Sequence, residues 1–240
     1  MGINRIPALQ GGPFGVRTFA RRYGPAPAVS GSLSLVAASS QNLSAASAVS
    51  CNSGGSFSWI FRCKLTANGS YQSLMYLIDP GSPRVEVIIF PDGTINFGIN
   101  NSFPAVKTMV FDAFTVVLAE YDSGAGTMRL SLDNGTASTG STSAPAGNGA
   151  NVYLGSRDFN GLPSNGLFDF VGVINRVLTT DERAELCAGR LDYPHLSAGL
   201  QSDAIWWMDF STSAGLLTPA AGSITWTNNN AATWSAVDGF

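Results

Sequence analysis

The segment between Phe57 and Leu65 restricts the fold of this chain most strongly. Its odd-numbered positions are all apolar, whereas its even-numbered positions include the charged Arg62 and Lys64. A period of two residues is that of a β-strand, because successive side chains of a strand point to opposite faces of the sheet. The segment therefore predicts a strand that buries one face in a core.

Short apolar runs separated by Gly, Pro, Asn and Asp continue from Ser32 onward, which is typical of an all-β domain. The turn signals Pro91-Asp92-Gly93 and Asn134-Gly135 predict hairpins. The low-complexity stretch 136–151 is too polar to bury and predicts a surface loop with at most one edge strand. Strands are predicted over residues 57–65, 71–78, 84–90, 94–99, 114–121, 127–132, 151–155, 167–174, 204–210 and 223–227.

One short helix is predicted in the second half of the chain. Thr179 and Glu182 have capping-box spacing, and Gly189 is a suitable end. The 240 residues are enough for a single large sandwich, and a second domain is not required. We expect an all-β, antiparallel two-sheet sandwich over residues 31–240, with residues 191–240 as a C-terminal closing segment.

Residues 1–30 are expected to form an extended basic arm, since Gly, Pro and Arg dominate them. The first 78 residues contain six basic and no acidic side chains, whereas the rest contain seven basic and sixteen acidic ones. The arm is either a solvated tail or a segment that docks on an acidic neighbour, such as the body of an identical subunit. The candidate assembly residues are Arg5, Arg17, Arg21 and Arg22.

Composition limits the class of partner. Charged residues make up 12% of the chain and the net charge is −3, so the broad basic face of a nucleic-acid binder is not expected. No stretch approaches membrane-spanning length, and residues 1–27 lack the apolar run of a signal peptide. Neither membrane insertion nor export by the general secretory route is therefore expected. Low-charge surfaces are common on secreted proteins, virus shells and repetitive assemblies.

Three cysteines, Cys51, Cys63 and Cys187, have no metal-ligand spacing and leave at least one thiol unpaired. Cys63 continues the apolar alternation, and Cys187 lies near the end of the predicted helix. Small core residues are therefore favoured over reactive thiols.

Several blocks of the sequence resemble those of a known family. The blocks are Phe57-Ser58-Trp59 with Gly93-Thr94-Ile95-Asn96-Phe97, Tyr121-Asp122 with 126–130 and 133–135, and Leu154-Gly155 with 166–171 and 175–182. They resemble the concanavalin A-like lectin and glucanase superfamily, especially its laminin G-like modules from bacteria and phages, over roughly residues 33–190. The resemblance implies that the two sheets form a jelly roll.

The chain departs from the family pattern in two places. Phe170 occupies a position where the family usually has an acid, which weakens a metal or polar role at that edge. Residues 204–209 resemble the strand that usually opens such a module, although here they come late. Either the jelly roll closes with a permuted strand or a second module is truncated, and we favour the first interpretation.

Glucanases of this superfamily use two carboxylates about 5 Å apart, presented from one strand as E-x-D-x-E. Glu120-Tyr121-Asp122 begins this pattern, but the second glutamate is absent. Glu182 and Glu185 are interpreted as cap and solvent residues of the helix. His195 is the only histidine, and no G-x-S-x-G motif accompanies it. We therefore predict no catalytic residues.

Two kinds of binding site are considered at the sandwich edges. Laminin G-like modules often bind calcium there, and the candidates here are Asp122, Asp158 and Asp169, for which turn capping is the favoured alternative. Glycan binding would stack a sugar on an exposed aromatic ring flanked by Asn and Asp. The candidates are Tyr153, Asp158, Phe159 and Asn160, although most aromatic residues here are more simply core.

The functional prediction is a non-enzymatic structural or binding module. The leading hypothesis is a decoration protein of a phage capsid or tail, which displays its jelly roll at the virion surface and is anchored by the basic arm. Its partners would be capsid or identical subunits. The alternative is a secreted, extracellular bacterial lectin or adhesion module that binds a cell-surface glycan. No cofactor is predicted, and calcium is the one candidate.

Overall fold

Two antiparallel sheets form a sandwich in the computed structural model of the protein. The structure describes residues 31–46, 54–79, 82–145, 151–158, 161–188, 193–210 and 217–236. In chain order the strands are β1 (Ser32–Leu35), β2 (Asn42–Ala46), β3 (Phe57–Leu65), β4 (Gln72–Asp79), β5 (Ser82–Ile89), β6 (Thr94–Ile99), β7 (Ser102–Thr108), β8 (Thr115–Asp122), β9 (Thr127–Leu132), β10 (Ser138–Ser141), β11 (Asn151–Leu154), β12 (Gly166–Ile174), β13 (Ala204–Asp209), β14 (Thr227–Asn229) and β15 (Thr233–Ser235).

The described strands divide into an eight-stranded and a seven-stranded sheet. The first has the order β10-β9-β8-β3-β12-β1-β15, with β13 also paired to β12. The second has the order β14-β2-β11-β4-β5-β6-β7. The predicted all-β, two-sheet antiparallel sandwich is confirmed.

The alternating segment that predicted the fold lies at the centre of the core. The ring of Trp59 on β3 has its centroid 6.0 Å from that of Phe57, 6.5 Å from that of Phe61 and 6.4 Å from that of Phe97. Phe97 lies on β6, so this aromatic cluster joins the two sheets. Burial of such rings is the main driving force for stacking the sheets.

The C-terminal strands complete this same sandwich. β13 pairs with β12, β14 with β2, and β15 with β1. Asn230 and Ala231 have φ angles of 58° and 57°, and their turn carries the chain from the seven-stranded to the eight-stranded sheet. At the other edge the backbone N–H of Val106 donates to Oγ of Ser138, which links β7 to the neighbouring β10.

Two short helices lie against the outer face of the eight-stranded sheet: α1 (Thr180–Cys187) and α2 (Ala198–Asp203). They contribute Leu186 and Leu200 to a second buried apolar cluster, which also contains Trp207 of β13. The predicted capping box is confirmed, with Thr179 as the N-cap of α1. The sequence did not predict α2. No helix within the described ranges is long and apolar enough to cross a membrane.

Four strands were missed, namely β1, β2, β7 and β15, and one was misplaced. The prediction of a strand over 223–227 was wrong, because residues 223–226 form no strand pairing and Trp226 packs on the ring of Trp206, so that β14 begins at Thr227. β1 and β2 are short and rich in small residues. β7 contains Pro104, which an edge strand tolerates because it need not donate a second row of hydrogen bonds.

Candidate functional site

The outer face of the eight-stranded sheet is closed by side chains from the helix region. Glu120 of β8 is buried on this face, and its carboxylate accepts hydrogen bonds from Nε of Arg183 at 2.9 Å and Nη2 of Arg183 at 3.0 Å. It also accepts from the backbone N–H of Leu178 at 2.9 Å. This ion pair fixes α1 onto the sheet.

Glu120, the first residue of the partial glucanase pattern, is enclosed by its neighbours. Its carboxylate is neutralised by a guanidinium and covered by α1. Asp122, two residues later, caps a turn by accepting from the backbone N–H of Gly124 at 2.9 Å. Glu120 and Asp122 therefore do not present an acid and a nucleophile to a common cleft.

Glu182 is the capping residue that the sequence predicted, and it also holds an ion pair, whereas the interpretation of Glu185 as a solvent residue was wrong because it is half-buried and hydrogen-bonded. The Glu182 carboxylate accepts two hydrogen bonds from Arg176, at 2.7 and 2.8 Å, while Nε of Arg176 lies 2.6 Å from Asp203. The hydrogen bonds from Arg176 lower the pKa of Glu182 from 4.5 to about 2. Glu185 likewise accepts from the backbone N–H of Ser197 at 2.6 Å. These contacts tie α1 to the segment before β13.

The outer face of the seven-stranded sheet has a different character. Ser44, Tyr153, Tyr76 and Glu86 are directly opposite one another across β2, β11, β4 and β5. Their sequence neighbours point into the core, so the four side chains share the outer face. Tyr153 is half-buried, whereas Tyr76 and Glu86 are almost completely buried. The row combines two phenol rings with a carboxylate.

Arg157 extends from the segment after β11 over this row. Its guanidinium carbon lies 5.6 Å from the centroid of the Tyr76 ring, within cation–π range. Its Nε lies 3.5 Å from Oε1 of Glu86, and 30% of the side chain is exposed. A guanidinium carries five N–H donors, and this one is partly exposed at the edge of the row. We call Tyr76, Glu86, Tyr153 and Arg157 the tyrosine–arginine site.

The structure places only part of the predicted glycan-binding set at this site. Tyr153 belongs to it. Asp158 is exposed next to Arg157, and its carboxylate accepts from the backbone N–H of Gly161. Phe159 and Asn160 lie outside the described residues, as do the arm residues Arg5, Arg17, Arg21 and Arg22.

The three calcium candidates occupy separate environments. Asp122 and Asp158 cap turns, in the eight-stranded sheet and after β11 respectively. Asp169 is buried, pairs with Arg62 and accepts from Oγ of Ser32 at 2.6 Å. Within the described part of the chain, no group of three His, Cys, Asp or Glu residues could hold a metal ion.

Both described cysteines are packing residues. Burial raises the pKa of Cys63 to about 12, and it raises that of the half-buried Cys187 to about 11. Thiols with such values stay protonated at neutral pH and are poor nucleophiles. Cys51 lies outside the described residues.

Sequence reasoning missed Tyr76, Glu86 and Arg157. A signal existed for Glu86, which stands between Val85 and Val87 and must therefore point away from the core that they fill. No comparable signal identified Arg157, because its position depends on how the segment after β11 folds back over the sheet.

Comparisons with known proteins agree with this architecture. Residues 20–182 match the family model described as the concanavalin A-like lectin/glucanases superfamily. No curated protein sequence matches the chain. A Bacteroides ovatus protein of suggested carbohydrate-binding function has a TM-score of 0.65 and 13% identity over 88% of this chain, which spans 60% of that protein.

Two further solved structures share the fold. A Ruminococcus gnavus sialidase module, CBM40, bound to α2,3 sialyllactose, has a TM-score of 0.51 and 15% identity over 65% of this chain and 96% of its own. A heptameric pentraxin from Limulus polyphemus has a TM-score of 0.50 and 13% identity over 66% of this chain and 82% of its own. At these identities the likeness is one of fold.

Proposed function

We propose that this chain, which belongs to the concanavalin A-like lectin/glucanase superfamily, is a non-catalytic module that binds glycans at the tyrosine–arginine site. The observation that carries the proposal is the contrast between the two outer faces. Helices and an apolar cluster cover one, and the other presents Tyr153 and Arg157 above Tyr76 and Glu86.

The chemistry of the site favours a carboxylated sugar. The C–H faces of a sugar ring are apolar and pack on aromatic rings, while its hydroxyls need polar partners. A guanidinium matches the geometry of a carboxylate, and the Arg157 side chain is partly exposed. Glu86 beneath Arg157 orients the guanidinium. The sialyllactose bound by the R. gnavus module is one example of a carboxylated sugar.

Changing either accessible residue should impair binding. On an array of acidic and neutral oligosaccharides, and then by titration calorimetry, Tyr153→Ala should weaken binding about tenfold or more, equivalent to about 1.4 kcal/mol. Arg157→Ala should lose binding to the acidic glycans and keep binding to the neutral ones. His195→Ala serves as the matched control, because His195 is exposed near the helix-covered face. Unchanged affinity in both site variants would refute the assignment.

We further propose that the module is displayed on a virion surface, as a capsid or tail decoration anchored by residues 1–30. The support is the charge distribution, with no acidic residue among the first 78 and sixteen among the rest. A basic segment of this kind suits docking on an acidic neighbour, either another subunit or the capsid. A secreted bacterial lectin or adhesion module is the alternative.

Removal of residues 1–30 distinguishes these two locations. The truncated chain should keep the sandwich and its glycan binding but fail to join the particle, because the anchor is lost. The measurement is the amount of protein that co-sediments with purified particles, compared with the full chain. Full incorporation of the truncated chain would contradict the anchoring role, and a protein found free in culture medium would favour the secreted alternative.

A further inference from the structure

A second aromatic pair lies on the same sheet face as the tyrosine–arginine site. Tyr71 and Phe90 meet edge to face, with ring centroids 4.7 Å apart and planes at 65°. Gln72 pairs with Ile89, which places Tyr71 opposite Phe90 just beyond β4 and β5. Because Ile89 packs into the core, its neighbour Phe90 points to the outer face.

This pair is accessible to a ligand. The Tyr71 side chain is 43% exposed, and Phe90 is half-buried beside it. A large exposed aromatic residue supported by a second ring is a rigid platform, since few rotamers must be fixed when a ligand packs on it. We call Tyr71 and Phe90 the end pair.

A polar side chain, Asn96, lies between the tyrosine–arginine site and the end pair. Asn96 on β6 is opposite Ile88 on β5. Ile88 is two residues from Glu86 in one direction and two residues from Phe90 in the other, so all of these side chains share one face. Asn96 is half-buried, and its Oδ1 is fully buried without a hydrogen-bond partner among the described residues. Because this oxygen is enclosed by the protein, Asn96 is not counted among the residues that contact a ligand.

The spacing of the two groups sets the size of the ligand. Glu86 lies on β5 and Phe90 follows its last residue, so the two are four residues apart, which corresponds to about 13 Å at ~3.3 Å per residue. One sugar ring is too small to touch both the tyrosine–arginine site and the end pair. A chain of several sugars that passes over the buried Ile88 between them would contact both.

We infer that the glycan recognised by this module is an extended oligosaccharide rather than a single terminal sugar. The inference rests on the proposed glycan-binding function. The tyrosine–arginine site holds a carboxylated sugar, and the end pair stacks against a ring several sugars further along the chain. Two linked contacts of this kind make affinity depend on chain length, since the second contact forms at a high effective concentration.

The test is calorimetry of the full chain with oligomers of two and of six residues, in two carboxylated series: oligogalacturonides and α2,8-linked oligosialic acids. In the series that binds, the six-residue oligomer should bind about tenfold tighter than the two-residue oligomer. Tyr71→Ala should remove that advantage and leave the two-residue affinity unchanged. Tyr153→Ala should weaken both lengths. Val110→Ala, at another exposed apolar residue, is the control and should change neither.

Two outcomes distinguish a failure of the extended-chain inference from a failure of the proposed glycan-binding function. Equal affinity for both lengths, or a length advantage that Tyr71→Ala leaves intact, would overturn the extended-chain inference while the tyrosine–arginine site stands. Failure of the wild-type protein to bind any oligomer of either series, or any glycan of the array, would refute the proposed function and the inference with it.

Discussion

Replacing Trp207 by alanine is expected to lower the free energy of unfolding by about 3–5 kcal/mol. Trp207 is fully buried between the eight-stranded sheet and the helix region. Its ring stacks on Phe170, with centroids 5.2 Å apart and planes at 25°, and it also contacts Tyr193. Truncation would leave a cavity that the sheet cannot close, because strand pairing holds β12 and β13 in place.

Equilibrium denaturation followed by far-ultraviolet circular dichroism measures this effect without relying on tryptophan fluorescence. Trp234→Ala is the matched control, since Trp234 is only partly buried and should cost less. A loss at Trp207 no larger than that at Trp234 would mean that the helix region does not pack on the outer face of the sheet.

The second large effect is expected at Arg183. Its removal by Arg183→Ala should destabilise the protein by about 3–5 kcal/mol, because the carboxylate of Glu120 would remain buried without its counter-charge. The intact ion pair contributes less than this to the free energy of unfolding, since desolvation of both groups offsets much of their attraction. The loss of stability in Arg183→Ala therefore reflects mainly the cost of leaving the Glu120 carboxylate buried without a counter-charge.

A double variant separates the unpaired charge from lost packing. Combining Arg183→Ala with Glu120→Gln removes the buried charge, so the double variant should be more stable than Arg183→Ala alone. Chemical denaturation of the wild type, the two single variants and the double variant gives the coupling energy. Simple additivity of the two single changes would contradict the ion pair that holds α1 on the sheet.

Local patterns carried enough information to predict the fold. The alternation from Phe57 to Leu65 predicts the side chains that fill the core between the sheets, although the helix region buries the other face of β3 as well. The capping box at Thr179 and Glu182 predicts a helix start. Both depend on residues close in sequence. The pairing of β14 with β2 and of β15 with β1 joins segments about 190 residues apart, and nothing local encodes it.

The same distinction explains the candidate site. Tyr153 could be proposed from the sequence, because it is an aromatic residue near a polar loop. Its partners Tyr76 and Glu86 come from β4 and β5, and only strand register brings them together. Asp169 looked like an edge residue, but the β12 register places it beside Arg62 of β3. The sequence shows which side chains are aromatic or charged. Which of them lie next to each other depends on the strand pairing of the folded sheet.

The most direct test of the account is a crystal structure of the protein with a carboxylated oligosaccharide selected on the array. The account predicts electron density for the glycan on the outer face of the seven-stranded sheet, with its carboxylate at Arg157 and a sugar ring on Tyr153. Density at the edge turn around Asp122, or on the helix-covered face near Glu120, with the outer face empty, would contradict it.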